Sequence, residues 1–248
     1  MLAASPIPPR RTRWSFLGRV PYGEAVDLQL TAREAVKRGG GDERLLLLEH
    51  PHVYTLGRNA TAADVLASPE WLAARGVEVA ECDRGGQVTY HGPGQLVGYP
   101  VVNLSPDRRD VRRYVRDLQE VLVRTLADYG VAAVPGESQS FIGVWADGAK
   151  IASIGVHLSR WVTTHGFALN VTTDLSLFAG IIPCGLTAVR MTSIAELTGR
   201  SPGLAEVATR AAAHFGEVFG REMVYDGEAS AGRAATEFAR MSGAAWSA

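Results

Sequence analysis

Apolar positions recur along this chain in patterns that mark both helices and strands. Between Tyr22 and Lys37, Ala25, Leu28, Ala32, Ala35 and Val36 fall at helical spacing, and Gly39-Gly40-Gly41 ends the run. Asp110 to Tyr129 is the clearest helix. There Val111, Tyr114, Val115, Leu118, Val121, Leu122, Leu126 and Tyr129 return at three- and four-residue steps, with Arg109, Arg112, Arg113 and Arg116 on the opposite face. Leu204 to Phe219 reads as a second amphipathic helix, and Ser68-Pro69-Glu70 as a helix start with Ser68 as its cap. The unbroken run Leu45 to Leu48 has the length of a buried strand. Trp14–Val20, Val53–Leu56, Val77–Cys82, Val101–Leu104 and Phe167–Val171 are further strands. Ala146-Asp147-Gly148-Ala149-Lys150 predicts a hairpin turn between Val144-Trp145 and Ile151–Ile154. Strands cluster instead of alternating with helices, so the expected class is α+β with a mixed, largely antiparallel sheet. Residues 1–11 read as a flexible tail, 12–226 as a single domain, and 227–248 as an Ala/Gly/Ser-rich tail.

Composition narrows the function classes. The chain has 248 residues, 46% hydrophobic and 21% charged, with a formal net charge of −1, which excludes a disordered, collagen-like or coiled-coil chain. Near-zero charge speaks against a dedicated nucleic-acid or polybasic membrane binder. Met1 to Arg13 lacks the apolar core of a secretory signal, and no run approaches the roughly 18 to 20 apolar residues of a membrane span, so a cytoplasmic protein is expected. The two cysteines, Cys82 and Cys184, make no metal-ligand spacing, and His50 and His52 around Pro51 form no zinc motif. No metal and no cofactor are expected. Only Lys37 and Lys150 are lysines, against 23 arginines. A coding bias explains the ratio, and under it a surviving lysine is a candidate for a position that arginine cannot fill.

Four stretches carry the candidate chemistry. Arg84-Gly85-Gly86-Gln87-Val88-Thr89-Tyr90-His91-Gly92-Pro93-Gly94-Gln95-Leu96 is too polar and turn-rich for a core strand, and its glycines allow close approach to a ligand. It is neither a P-loop nor a dinucleotide fingerprint. Lys150 lies between two apolar stretches in Gly148-Ala149-Lys150-Ile151-Ala152-Ser153-Ile154-Gly155-Val156-His157. A lysine there is ordinarily a solvated edge residue, but a partly buried amine can serve as a base. Cys184 sits on a Pro183-Cys184-Gly185 turn, a better setting for a nucleophile than that of Cys82 in its apparent strand. His165, before Gly166-Phe167-Ala168, and His157 are supporting candidates or plain hydrogen-bonded histidines.

Arg84 through Pro100, Gly148-Ala149-Lys150-Ile151-Ala152, His165 through Val171, and Pro183-Cys184-Gly185 follow one another as in the lipoyl(octanoyl) transferases of lipoate biosynthesis, and the sequence resembles that family over about Leu45 to Thr198. The resemblance implies the biotin/lipoate protein ligase-like fold and a cysteine–lysine dyad at Cys184 and Lys150. It implies acyl contacts from Arg84, Gly85, Gly86, Gln87, Val88, Thr89, Tyr90 and His91, from Ser153, Ile154 and Gly155, and from Gly166, Phe167 and Ala168. The implied reaction moves an octanoyl group from octanoyl-acyl carrier protein, through a cysteine thioester, to a lysine of lipoyl-domain proteins: 2-oxoacid dehydrogenase subunits and the glycine cleavage H protein. The competing readings are an ATP-dependent lipoate or biotin ligase on the same fold, which needs no cysteine, and a non-catalytic acyl-binding module.

Overall fold

The computed structural model describes residues 10–39, 41–136, 141–182 and 189–227. The strands are β1 (Arg10–Arg19), β2 (Glu43–Glu49), β3 (Val53–Leu56), β4 (Glu78–Glu81), β5 (Val88–His91), β6 (Gln95–Val101), β7 (Val134–Pro135), β8 (Gly143–Ala146), β9 (Ala149–Ser159), β10 (Val162–Asn170) and β11 (Arg221–Tyr225). The helices are α1 (Tyr22–Lys37), α2 (Pro69–Arg75), α3 (Val111–Ala127), α4 (Ile194–Thr198) and α5 (Leu204–Phe219). Among the described residues the large sheet runs β11-β1-β2-β6-β10-β9-β8-β7, and a small sheet runs β4-β3-β5. In the large sheet only the β1 pairings with β11 and β2 are parallel, so this is the expected α+β class with a mixed, largely antiparallel sheet.

The Leu45–Leu48 run has no polar face because both faces of β2 are covered. Leu45 and Leu47 join a core with α3 and α5, while Leu46 and Leu48 join a second core under α1. A third core, with Tyr54, Tyr90 and Phe178, supports the small sheet. The helix starts follow the side chains. Ser68 accepts a hydrogen bond from Trp71 N at 3.2 Å, and Asp110 accepts one from Arg113 N at 3.0 Å. Asp147 and Gly148 take φ of +49° and +67° between β8 and β9, as the predicted Asp-Gly hairpin requires.

Three expectations change. Arg10 and Arg11, expected in the tail, open β1, where Arg10–Trp14 pair with Arg221–Tyr225. Local sequence could not reveal this, since the pairing partner lies some 200 residues on. The glycine-rich stretch is not one loop. Val88–His91 and Gln95–Val101 are fully buried strands, and β6 is central. Its polar residues argue against a core strand in the sequence, yet Arg84, Thr89, His91 and Gln95 are buried in the fold. Cys82 lies just beyond β4 and is half-buried, its thiol donating to the Leu56 carbonyl at 3.2 Å. No helix among the described residues is long and apolar enough to cross a membrane.

Candidate active site

A cavity of about 680 Å³ opens where the small sheet and the loop around Arg84–Gln87 lie over β9 and β10. That is the size of a small-ligand pocket. Its wall contains Arg84, Gly85, Gly86, Gln87, Val88, Thr89 and His91, then Ser153, Ile154 and Gly155, then Gly166, Phe167 and Ala168, together with Lys150 and His165. Two expected residues lie elsewhere. Tyr90 alternates inward on β5 into the third core, where its ring meets Phe178 edge-on and its hydroxyl meets His52 Nδ1 at 2.8 Å. His157 does not line the cavity; its Nε2 stands 3.6 Å from Asp83. Tyr22, Arg58, Asn59, Tyr99, Val111, Val115, Ile142 and Val156 also line the cavity, and the sequence did not single them out for a site. Val111 and Val115 were legible as one apolar stripe, but nothing local showed that its end faces a cavity instead of the core.

Lys150 is 2% exposed. Its backbone is clamped between β8 and the chain beyond the site, with Lys150 N donating to Arg190 O at 2.8 Å and its carbonyl accepting from Thr192 N at 3.0 Å. Nζ lies 5.7 Å from the centre of the Trp145 ring. Gly143 makes the lysine's path open: at φ +138° it has no Cβ, and one placed there would stand 2.7 Å from Lys150 Cε and 2.3 Å from Ala152 O. Cys184, the expected nucleophile, lies outside the described residues. The chain is described again at Val189, and Met191 bridges Lys150.

The loop holding Arg84 is fixed by backbone hydrogen bonds. Gly85 N donates to Val156 O, Arg58 N to Arg84 O, and Asn59 N to Gly86 O. The Arg84 guanidinium is itself anchored, Nη2 donating to Thr55 O at 2.6 Å and to Thr55 Oγ1 at 2.8 Å. This arginine therefore both shapes the wall and locks the loop to β3.

His165 is positioned by a break in the ladder. Pro100, in central β6, has no N–H to give. Opposite it, His165 takes φ +56° and sends its own N–H to Gln29 Oε1 of α1 at 2.6 Å. Pro100 O instead accepts from Thr163 Oγ1 at 2.7 Å. The turned imidazole meets Asp83 at 2.7 Å. Burial would raise the Asp83 carboxyl, but the hydrogen bond and charge of His165, with the charge of His157, hold it below its ordinary range. Burial lowers His165 despite Asp83.

Beneath lies a neutral, hydrogen-bonded floor. His50 meets Val20 O at 2.7 Å and Tyr99 Oη at 2.8 Å, and burial pushes its pKa down to about 4. Burial, and then the proximity of His50, keep His91 well below its ordinary value. His91 Nδ1 meets Gln95 Oε1 at 2.8 Å, and Gln95 donates on to Asn170 Oδ1, whose amide donates to Thr192 O. Asn170 and Gln95 thus tie the floor to the segment around Thr192, which runs beside Lys150. No group of three His, Cys, Asp or Glu side chains among the described residues could hold a metal ion.

Residues 21–216 match the model of the lipoyl protein ligase A/B catalytic domain. An octanoyltransferase of Solibacter usitatus is 50% identical over 208 residues, covering 84% of this chain and 93% of that one. An octanoyltransferase of Chloroflexus aurantiacus is 51% identical over 210 residues, covering 84% and 93%. A crystal structure of lipoate-protein ligase A bound with ATP superposes with a TM-score of 0.72 at 20% identity, covering 95% of this chain and 97% of the other. That likeness concerns the fold alone.

Proposed function

The chain belongs to the lipoyl protein ligase A/B catalytic family, and on that premise we propose that it is an octanoyltransferase of protein lipoylation. In this reading it takes an octanoyl group from octanoyl-acyl carrier protein and places it on a lysine of a lipoyl-domain protein. The observation that carries the reading is a lysine held 2% exposed in the wall of a cavity that combines glycines and apolar side chains with the polar Arg84, Gln87, Thr89, His91, Ser153 and His165.

The chemistry follows from the groups present. Cys184 loses its thiol proton to Lys150 and attacks the thioester carbonyl. The carrier thiol leaves with a proton, and the octanoyl group is held as a thioester on Cys184. The acceptor lysine, losing its proton to Lys150, then attacks that thioester; an amide forms and the Cys184 thiol is restored. Exchange of one thioester for another is nearly isoenergetic and amide formation from a thioester is downhill, so no nucleotide is required. Each buried methylene of the tail contributes about 0.8 kcal/mol, so the apolar wall supplies several kcal/mol of binding. Gly85, Gly86, Gly155 and Gly166 let the chain lie close to the backbone.

The test is mass spectrometry after incubation with octanoyl-acyl carrier protein, without ATP. The mass is expected to rise by one octanoyl group on a Cys184 peptide, and not to rise in Cys184→Ala. Lys150→Arg should fold and lose turnover, because a guanidinium stays protonated. An adduct on Cys82, near-wild-type turnover in either variant, or a strict ATP requirement would overturn the assignment.

A further inference from the structure

We propose that the arginine face at the start of α3 is the landing surface for an acidic carrier protein that presents the acyl thioester on a flexible arm. This rests on the octanoyl-transfer reading. Val111 and Val115 line the cavity, and Val111 is 43% exposed, so the cavity reaches the surface along α3. One residue beyond each valine stand Arg112 and Arg116, both exposed, and Arg109 precedes them. A step of one residue turns about 100° around a helix. The two arginines therefore border the mouth without filling it.

The neighbouring carboxylates are engaged elsewhere. Asp110 caps α3 through Arg113 N, Asp117 bonds Arg108, and Asp107 meets Arg10 at 3.1 Å. Among the described residues no carboxylate lies within 4.0 Å of Arg112 or Arg116. The same face carries half-buried Ile154, Val156, Leu158 and Trp161 beside the α3 core. Arg109 lies 6.0 Å from the centre of the Trp161 ring. A cationic rim around an apolar patch that runs into the cavity suits a negatively charged protein surface with an apolar centre. The acyl donor, whose tail must enter there, is the partner this continuity selects over the acceptor.

The experiment compares Arg112→Glu/Arg116→Glu with Arg200→Glu, an exposed arginine between α4 and α5. The double variant is expected to raise KM for octanoyl-acyl carrier protein roughly tenfold at low ionic strength with kcat unchanged, and to recover at high salt. Arg200→Glu should match wild type. With octanoyl-pantetheine, which lacks the protein, the double variant should also match wild type, as should its KM for the acceptor. Binding of unacylated carrier protein, followed separately by titration calorimetry, should weaken in parallel. Loss of transfer in the wild-type protein would defeat the octanoyl-transfer reading alone. Carrier binding and KM blind to the charge reversal, or a rise in the acceptor's KM instead, would overturn the landing surface.

Discussion

Gly98→Ala tests whether strand packing sets the shape of the cavity. Gly98 and Phe167 are direct partners across β6 and β10, and the Phe167 ring lies over the glycine. A Cβ on Gly98 would stand 2.2, 2.5 and 2.7 Å from three carbons of that ring. Ordinary carbon contacts are about 3.5–4.0 Å, so the ring must retreat by roughly 1 Å or more. The strands cannot separate to accommodate it, because β6 is held by β2 on its other side. Phe167 is 3% exposed, packed against the main core and lining the cavity, so the free direction is into the cavity. Overpacking of this kind costs about 1–3 kcal/mol, which for a domain of this size lowers Tm by about 2–12 °C. The assays are thermal unfolding and transfer with hexanoyl and octanoyl donors. Gly98→Ala should unfold earlier and shift its preference toward hexanoyl, and adding Phe167→Leu should restore part of both losses. An unchanged Tm together with an unchanged chain-length preference would refute the argument.

Gly143→Ala puts a Cβ against Lys150 Cε and the Ala152 carbonyl at φ +138°; its kcat should fall at least tenfold, more than its KM changes, in steady-state assays. His50 has a folded pKa of about 4 against an ordinary value near 6.5, so the unfolded chain binds its proton first as pH falls. Its contribution is complete above pH 6.5 and is lost as pH falls from there toward 4. The loss amounts to about 2 kcal/mol by pH 5, and urea denaturation of wild type and His50→Gln should show about that much less acid sensitivity in the variant. His91 and His165 are lowered in the same direction, so both proteins should lose still more on acidification; because His50 also holds His91 down, the difference between the two proteins carries the relief of His91 together with the loss of His50.

Helices and the hairpin were legible because their signals are local. The spacing of Leu118, Val121, Leu122 and Leu126, the Ser68 cap and Asp147-Gly148 each act within a few residues. Candidate site residues were legible as residue types held in short motifs, and most of these converge on one cavity. What local chemistry could not convey was direction and partnership. Tyr90 and His91 are neighbours in one motif, yet strand alternation turns Tyr90 into the third core and His91 toward the cavity. Arg10 and Arg11 look like tail until Arg221 and Glu222 pair with them. Lys150 stands out in the chain as a scarce residue type. Its burial depends on β8 crossing beside it at a glycine and on Arg190 and Thr192 returning to clamp its backbone. Periodicity, caps and turns are properties of consecutive residues and survive in the bare sequence. A cavity, a buried amine and a turned histidine arise only when distant segments exclude water together, so the folded arrangement alone creates them.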